Sequence, residues 1–417
     1  MGIKDMENSQ IIGFDINEYE AQLCRYDAES KEPVSVMVTA GGSRAAFPVH
    51  LAYLASEGKW KYGIEADYFI RHKNAVPVNY FFRKLMAGEG FRTEGKTFSA
   101  ENLLAEFISL ALTSAGITDP VQQVHTMYIT VPRISRELAH TVEGAYRIIG
   151  FSSCQAFLQE HSESFFYHSY YQDPDIYRKG TALYYFPDDH TVNYQAIATD
   201  NSTRPATVSQ KESLSRELPA DTERKDEVFS EFIDETLENK EYSGIFLVGS
   251  GFSRSWAKNS LVRLCKGRRK VFYGNSLFAK GACYAAMERC MPRQLNDYLF
   301  LSRDLVTENM GMDMMIGGEA DYKPLITAGI HWYEAEKEIE FLLNHEREII
   351  LRTSSMRGGS RKKIRMTLPG LAERPPKTTR IRLTVRYEDA GKCVIRAEDL
   401  GFGDFYPATH QIWEETL

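Results

Sequence analysis

A glycine and serine corner is the part of this sequence whose residue types are best suited to ligand binding. The apolar run Ile245–Val248 leads into Gly249, Ser250 and Gly251, followed by Ser253 and Arg254. Apolar residues before turn residues predict a buried strand. The glycines permit a sharp turn and a close backbone approach to a ligand, and Ser253 or Ser255 could cap a following helix. A purely structural turn is the alternative.

The elements that follow this corner make the prediction of a ligand-binding site there more specific. A helix is predicted over Ser255–Lys266, then a short strand over Val271–Tyr273 and a second helix opened by Asn275. The second helix carries the small residues Gly281, Ala282, Ala285 and Ala286, which permit close backbone packing. This order of strand, glycine turn, helix, strand and small-residue helix resembles the adenosine motif of the actin-like ATPases, specifically the heat-shock chaperones of DnaK type.

The resemblance covers the whole chain of 417 residues and implies its domain organisation. It implies an α/β actin-like (ribonuclease H-like, duplicated) ATPase-type domain over residues 1–292, with halves of about 1–178 and 179–292. A linker is expected over 293–308, and an all-β sandwich similar to the chaperone substrate-binding domain over 309–417. The alternation in Arg380–Asp399, with a turn at Asp389–Gly391, is the clearest strand pattern. The helical lid of the family is expected to be missing.

The first phosphate loop of the family corresponds to the hairpin predicted over Ile11–Asp27. Asp15 matches the aspartate that follows the first strand, but Asn17, Glu18 and Tyr19 replace Gly-Thr-Thr. Such a loop binds phosphate by presenting bare backbone N–H groups to the anion. A carboxylate and a bulky phenol at this place are therefore expected to oppose polyphosphate binding.

The second phosphate loop corresponds to a hairpin predicted from Ala182–Tyr185 and Val192–Ile197. Phe186 replaces the aspartate of the family, Pro187, Asp188, Asp189 and His190 follow, and only Thr191 is retained. Proline lacks an N–H, and each like-charge contact opposes an anionic ligand by about 1 to 4 kcal/mol. A divalent ion held by Asp188 and Asp189 would offset this repulsion.

The catalytic positions of the family have partial matches. Arg83, with Lys84 next to it, stands nearest the catalytic lysine, and a planar fork of donors there replaces a point charge. Glu160 matches the glutamate that organises the hydrated metal, with a capping or surface carboxylate as the alternative. Arg254 resembles the arginine that stacks on adenine, and pairing with a local carboxylate is the alternative. The spacing of His161 and His168 predicts no metal site.

Two further segments have weaker patterns. Asn201–Asp226 is polar and predicts a loop, followed by an amphipathic helix through Leu237. Lys337–Arg352 fits either a helix or a hairpin turning at Asn344, and the resemblance favours the hairpin.

Bulk properties exclude several classes of protein. The net charge of −7 argues against a dedicated nucleic-acid binder, and the basic run Arg357–Arg365 predicts a solvated loop. No apolar run is long enough to span a membrane, and no membrane partner is expected. The six cysteines form no CxxC pair and predict reduced thiols in a cytoplasmic protein.

Together these features predict a degenerate chaperone-like protein without efficient ATPase activity, which binds a polypeptide or partner protein through its β-sandwich. Candidates for an apolar groove are Met312, Met315, Phe341 and Ile349, with core packing as the alternative for each. A second hypothesis is an active nucleotide-dependent chaperone or actin-like ATPase, binding ATP or ADP with Mg²⁺ through Asp15, Glu160 and the glycine corner. A third is a structural assembly module.

Overall fold

A computed structural model describes residues 9–37, 45–152, 155–274, 276–356 and 361–417. Asn275, Cys154 and the first part of the basic run, residues 357–360, lie outside the described residues. The chain is a mixed α/β protein that divides into two compact units, Met1–Leu301 and Ser302–Leu417. No helix of the described residues is long and apolar enough to cross a membrane.

The described residues up to 178 form one large sheet, two small sheets and the helices that flank them. The strands are β1 (Gln10–Ile16), β2 (Glu20–Asp27), β3 (Glu32–Val36), β4 (Ala46–Pro48), β5 (Leu51–Leu54), β6 (Lys59–Tyr62), β7 (Val76–Pro77), β8 (Phe91–Thr93), β9 (Lys96–Phe98), β10 (Val124–Val131) and β11 (Ala156–Glu160). The helices are α1 (Gly63–Lys73), α2 (Phe81–Met86), α3 (Ala100–Ser114), α4 (Pro120–Gln123), α5 (Arg136–Ile149), α6 (His161–Tyr170) and α7 (Pro174–Tyr177).

The large sheet has the order β11-β10-β1-β2-β3, with β4 also paired to β2. β1, β2 and β3 form an antiparallel meander, whereas β1, β10 and β11 are parallel. The expected first hairpin is confirmed. Helix α5 begins after the cap Ser135 and ends at Gly150, whose φ of 97° favours glycine.

The rest of the first unit forms a second large sheet. Its strands are β12 (Thr181–Asp188), β13 (Thr191–Asp200), β14 (Ala206–Glu217), β15 (Gly244–Val248), β16 (Lys270–Tyr273) and β17 (Tyr298–Leu301). Its helices are α8 (Thr222–Leu237), α9 (Lys258–Leu264) and α10 (Leu277–Cys290).

The two large sheets repeat one topology. The second has the order β16-β15-β12-β13-β14-β17, in which β12, β13 and β14 form an antiparallel meander and β12, β15 and β16 are parallel. The loop predicted over Asn201–Asp226 is wrong for most of its length. β14 occupies its centre because Ala206 and Val208 are buried and the remaining residues complete the ladder to β13.

Helix α10 packs against the centre of the first sheet. A Cβ at Gly13 of β1 would lie 2.0 Å from the carbonyl oxygen of Ala279, and a Cβ at Gly281 would lie 2.0 Å from that of Ser164 in α6. These distances leave no room for a side chain, which confirms that the small residues of this helix permit close packing. Within the expected linker, β17 pairs with β14, and its Phe300 stacks on Phe166 at 5.0 Å.

The described residues of the second unit form strands and one short 3₁₀ turn, Trp332–Glu334. The strands are β18 (Glu308–Ile316), β19 (Glu319–Ile326), β20 (Glu336–Leu343), β21 (Glu348–Ser355), β22 (Lys362–Thr367), β23 (Thr379–Asp389), β24 (Lys392–Gly401) and β25 (Ile412–Thr416). They form two four-stranded antiparallel sheets of order β19-β18-β21-β22 and β20-β23-β24-β25. The hairpin expected over Arg380–Asp399 is confirmed as β23 and β24.

The hairpin expected over Lys337–Arg352 is wrong, although both of its strands exist. β20 pairs with β23, whereas β21 pairs with β18 and β22 in the other sheet. The connection at Asn344 therefore carries the chain from one sheet to the other. An alternating pattern specifies a strand and its buried face, but it does not specify the neighbouring strand.

Candidate functional site

A buried carboxylate and imidazole pair lies where β1 and β11 end. Asp15 Oδ1 lies 2.7 Å from His161 Nε2, and both residues are at least 95% buried. The imidazole stacks on Phe278 of α10, with ring centroids 3.7 Å apart, and meets the edge of Tyr185. Asp15 is therefore bound by a histidine of α6, whose ring packs against aromatic residues of α10 and β12. The sequence analysis predicted no metal site at His161, and it did not predict this contact.

The two turns that the sequence analysis compared with phosphate loops are joined directly. The Tyr19 hydroxyl donates to Asp188 Oδ2 over 2.9 Å. This hydrogen bond raises the pKa of the Tyr19 phenol. Partial burial raises the pKa of the Asp188 carboxyl, but hydrogen bonds from the His190 amide, Tyr19 and Thr191 outweigh it and hold that pKa below its usual value. The Tyr19 and Asp188 pair thus connects the turn after β1 to the turn after β12.

Backbone N–H groups at both turns are already bound by side chains of the same turn. Asn17 Oδ1 accepts from the amides of Tyr19 and Glu20 over 2.9 and 3.1 Å. Asp188 Oδ1 accepts from the His190 amide over 2.8 Å. These are local Asx-type turns, in which a side-chain oxygen takes the place that an anion would otherwise fill.

The glycine corner packs on the polypeptide of the neighbouring hairpin. A Cβ at Gly249, whose φ is 110°, would lie 2.1 Å from the Phe186 oxygen, and a Cβ at Gly251 would lie 1.9 Å from the Asp188 oxygen. The Gly251 amide donates to the Phe186 carbonyl over 3.2 Å. Ser250 approaches the Pro187 carbonyl at 3.5 Å. The close approach of β12 explains both glycines. The alternative of a purely structural turn therefore accounts for them.

The predicted helix start after this corner is wrong. α9 begins at Lys258 with Ala257 at its N-cap, and the hydroxyls of Ser253 and Ser255 bond each other over 2.7 Å. The cap comes from α8, where the buried Asp226 accepts from the amides of Asn259 and Ser260 over 2.8 and 2.9 Å. Sequence analysis missed Asp226 because it lies 33 residues before Asn259, whose amide it binds.

We expect Asp226→Ala to lower the free energy of unfolding by about 2 kcal/mol, because two helix N–H groups would lose their acceptor in a buried place. Chemical denaturation of the purified chain measures this change. Asp221→Ala is the matched control, since Asp221 caps α8 at an exposed position through the Arg224 amide alone. If Asp226→Ala lowered the free energy of unfolding no more than Asp221→Ala does, the cap assigned to Asp226 would be contradicted.

Arg83 lies at the rim of a cavity of about 320 Å³ in the first unit. Its guanidinium pairs with Glu18 at 2.5 Å and lies over the ring of Tyr80, while its side chain remains 66% exposed. An exposed pair of this kind stabilises the fold by about 0 to 1 kcal/mol. Glu18 and Arg83 neutralise each other. Arg83, which the sequence analysis compared with the catalytic lysine of the resembled family, is therefore paired with Glu18 of the turn after β1.

Glu160 and Arg254 have local partners that differ from the expected alternatives. Glu160 is 1% exposed and accepts from the Ile134 amide over 3.1 Å, so it fixes the loop after β10 from inside the fold. It is neither a surface carboxylate nor a side-chain helix cap. Arg254 lies over the ring of Tyr273 at 5.5 Å, in place of the local carboxylate that was the alternative partner.

The four candidates for an apolar groove are not one surface. Met312 and Ile349 are core residues with 6% and 2% exposure, so the core-packing alternative holds for both. Phe341 is half-buried on β20, in the sheet that does not contain the other three. Met315 alone of the four is broadly exposed, at 69%, near the tip of β18. Ile316 and Tyr322 beside it are exposed by 47% and 43%, and the sequence analysis did not single them out.

Two family models together account for most of the chain. The model described as "Family of unknown function (DUF5716) C-terminal" matches residues 32–303. The chain belongs to this family. A second model, described as "Domain of unknown function (DUF8552)", matches residues 305–417. The two matches meet close to the boundary between the compact units, so the second matched domain corresponds to the all-strand unit. No curated protein matches the chain.

Proposed function

We propose that this protein is a degenerate relative of the DnaK-type chaperones that binds an extended polypeptide without using nucleotide. The repeated topology of the two large sheets supports the actin-like part of this proposal, since a duplicated ribonuclease H-like fold requires two sheets of one order. The two antiparallel sheets of the second unit support a β-sandwich similar to a substrate-binding domain.

The observation that carries the proposal is the hydrogen bond between Tyr19 and Asp188. A triphosphate would have to break this contact, take the amides bound by Asn17 and Asp188, and tolerate the Asp188 carboxylate. Breaking a hydrogen bond to a charged group opposes triphosphate binding by about 1.5 to 3 kcal/mol. Each like-charge contact opposes it by about 1 kcal/mol or more. The residues present therefore do not fit Mg-ATP.

The remaining candidate surface lies in the second unit. Met315 and Tyr322 present apolar area on one face of β18 and β19, and β19 is the edge strand of its sheet. Exposed apolar residues that lie together favour a binding function. A polypeptide is the ligand class that uses both apolar contacts and a strand edge.

Calorimetry tests the nucleotide half of the proposal. We expect the intact chain to give no binding heat with Mg-ATP or Mg-ADP up to millimolar concentration. The repeat with Tyr19→Phe, which removes the hydroxyl that donates to Asp188, should also be silent because the carboxylates and bound amides remain. Micromolar binding of either nucleotide to the unmodified chain would overturn the proposal and favour the nucleotide-dependent chaperone or ATPase.

A further inference from the structure

An open cavity of about 400 Å³ lies at one end of the sheet β19-β18-β21-β22. The strands β18 and β22 begin at this end, and the strands β19 and β21 finish there. All of the described residues that line the cavity belong to the second unit. A cavity of this volume suits a compact small molecule or a single side chain of a larger ligand.

The charged groups at this cavity are mostly positive. The described residues that line it include two arginines, Arg352 and Arg361, and no carboxylate. Lys363 stands directly opposite Arg352 in the ladder of β21 and β22, so these two side chains share one face of the sheet. Asp313 forms an ion pair with Arg352 and balances one of the three cations. Together the four side chains therefore keep an excess of two positive charges.

Both guanidinium groups can accept a ligand. The side chain of Arg352 is 38% exposed, and its ion pair with Asp313 is made through Nη2. Arg361 is exposed, and it forms no ion pair with the part of the chain that the structure describes. A guanidinium group binds the oxygens of a phosphate or carboxylate through paired hydrogen bonds. The charge and the donors of this cavity therefore select an oxyanion.

Part of the cavity wall is apolar. Tyr322 is 43% exposed, and a Cβ at Gly311 would lie 2.4 Å from its hydroxyl oxygen, so the phenol lies across this glycine. Gly311 stands opposite Arg352 in the ladder of β18 and β21, which places the hydroxyl in the same cross-strand row as the arginine. Pro324 and Ile326 continue the wall. A ring or short apolar group attached to the anion would pack against these residues.

We propose that this cavity binds a phosphomonoester that carries an aromatic or short apolar group. A phosphomonoester has a charge of about −1.5 to −2 at neutral pH and three terminal oxygens, which suit two excess charges and two arginines. A carboxylate or a sulfate ester has a single negative charge and would leave part of the positive charge unbalanced. This inference concerns a different ligand from the proposed polypeptide and does not depend on that function.

Calorimetry of the intact chain with phenyl phosphate tests the ligand. We expect saturable binding with a dissociation constant of about 1 mM or less. Phenyl sulfate has nearly the same shape with one negative charge, and it should bind about tenfold more weakly. Inorganic phosphate lacks the ring, and it should also bind about tenfold more weakly. The proposal is overturned if phenyl phosphate does not bind, or if either comparison anion binds as tightly.

Replacing Arg361 by glutamine tests the location of the site. The side chain is exposed, so the fold should be kept, and phenyl phosphate should bind about tenfold more weakly. Arg347→Gln is the matched control, because it makes the same charge change at an exposed arginine of the same unit that does not line the cavity. The control should change the affinity by about twofold or less. Equal losses in the two variants would show unspecific attraction and would overturn the site.

A short peptide with one phosphotyrosine between alanines distinguishes two sources of the same ligand chemistry. Tighter binding of this peptide than of phenyl phosphate would assign the cavity to a phosphorylated side chain of a polypeptide. Weaker binding of the peptide would assign it to a free phosphomonoester. Both outcomes support the proposed chemistry if Arg361→Gln weakens the binding, and a peptide that binds this variant and the unmodified chain equally would contradict it.

Discussion

Replacing Arg374 by alanine is expected to lower the free energy of unfolding of the second unit by about 3 to 5 kcal/mol, because it leaves a buried carboxylate without its countercharge. Arg374 holds Asp399 with two hydrogen bonds of 2.7 and 2.8 Å, and the side chain of Asp399 is fully buried. Thr409 and the Gly401 amide supply further donors to the same carboxylate. Chemical denaturation followed by tryptophan fluorescence measures the loss.

The pH dependence of this stabilisation has a definite sign. Burial raises the pKa of the Asp399 carboxyl, but hydrogen bonds from Arg374 and Thr409 outweigh it and place that pKa well below its usual value. A group whose pKa is lower in the folded state stabilises the fold above its unfolded pKa, which is about 3.9 for aspartate. The stabilisation is thus complete near neutral pH and is lost as the pH falls below about 4 toward the folded pKa.

An exposed ion pair in the same unit provides the control for Arg374. Arg347 contacts Glu373 at 2.7 Å, but the two side chains are 59% and 88% exposed. We expect Arg347→Ala to lower the free energy of unfolding by about 1 kcal/mol or less. This loss should change little between about pH 3 and pH 7. Equal losses for Arg347→Ala and Arg374→Ala would contradict the role assigned to burial.

Gly251→Ala is expected to lower the free energy of unfolding of the first unit by about 3 kcal/mol or more. The added methyl would lie 1.9 Å from the Asp188 oxygen and 2.4 Å from its carbonyl carbon, and backbone atoms cannot rotate away as a flexible side chain can. The loss should appear as a lower denaturation midpoint with little change in the denaturant slope.

Gly274→Ala is the control for this substitution. Gly274 lies in the same unit, directly after β16, and a Cβ there would meet no described atom within 4 Å. Alanine at Gly274 should change stability by about 1 kcal/mol or less, and it can even stabilise by restricting the unfolded chain. If Gly251→Ala were equally tolerated, the glycine corner would be open above β15, and a ligand there would again be plausible.

The Gly251 result also bears on how nucleotide binding is tested. A large side chain at Gly251 would disturb the hairpin of β12 and β13 whether or not a ligand binds there. Loss of binding in such a variant would not identify a phosphate site. Tyr19→Phe removes one hydroxyl from the same region without adding volume, and it is therefore the more informative substitution.

The sequence by itself determined most of the local structure. Alternating or continuous apolar runs with turn residues between them predicted the hairpins of β1 and β2, β12 and β13, and β23 and β24. These features follow from the backbone preferences and burial of neighbouring residues, which a short segment of sequence already contains.

Tertiary structure alone decided which residues meet at the candidate site. Asp15 and His161 are 146 positions apart, and Tyr19 and Asp188 are 169 positions apart. The resemblance predicted that Tyr19 and Asp188 stand where the resembled family has phosphate-loop residues, but not that these two residues bind each other. In the same way, the sequence showed β20 and β21 as strands without showing that they enter different sheets. Local preferences fix the path of the backbone, whereas contacts between distant segments are selected by how whole elements pack.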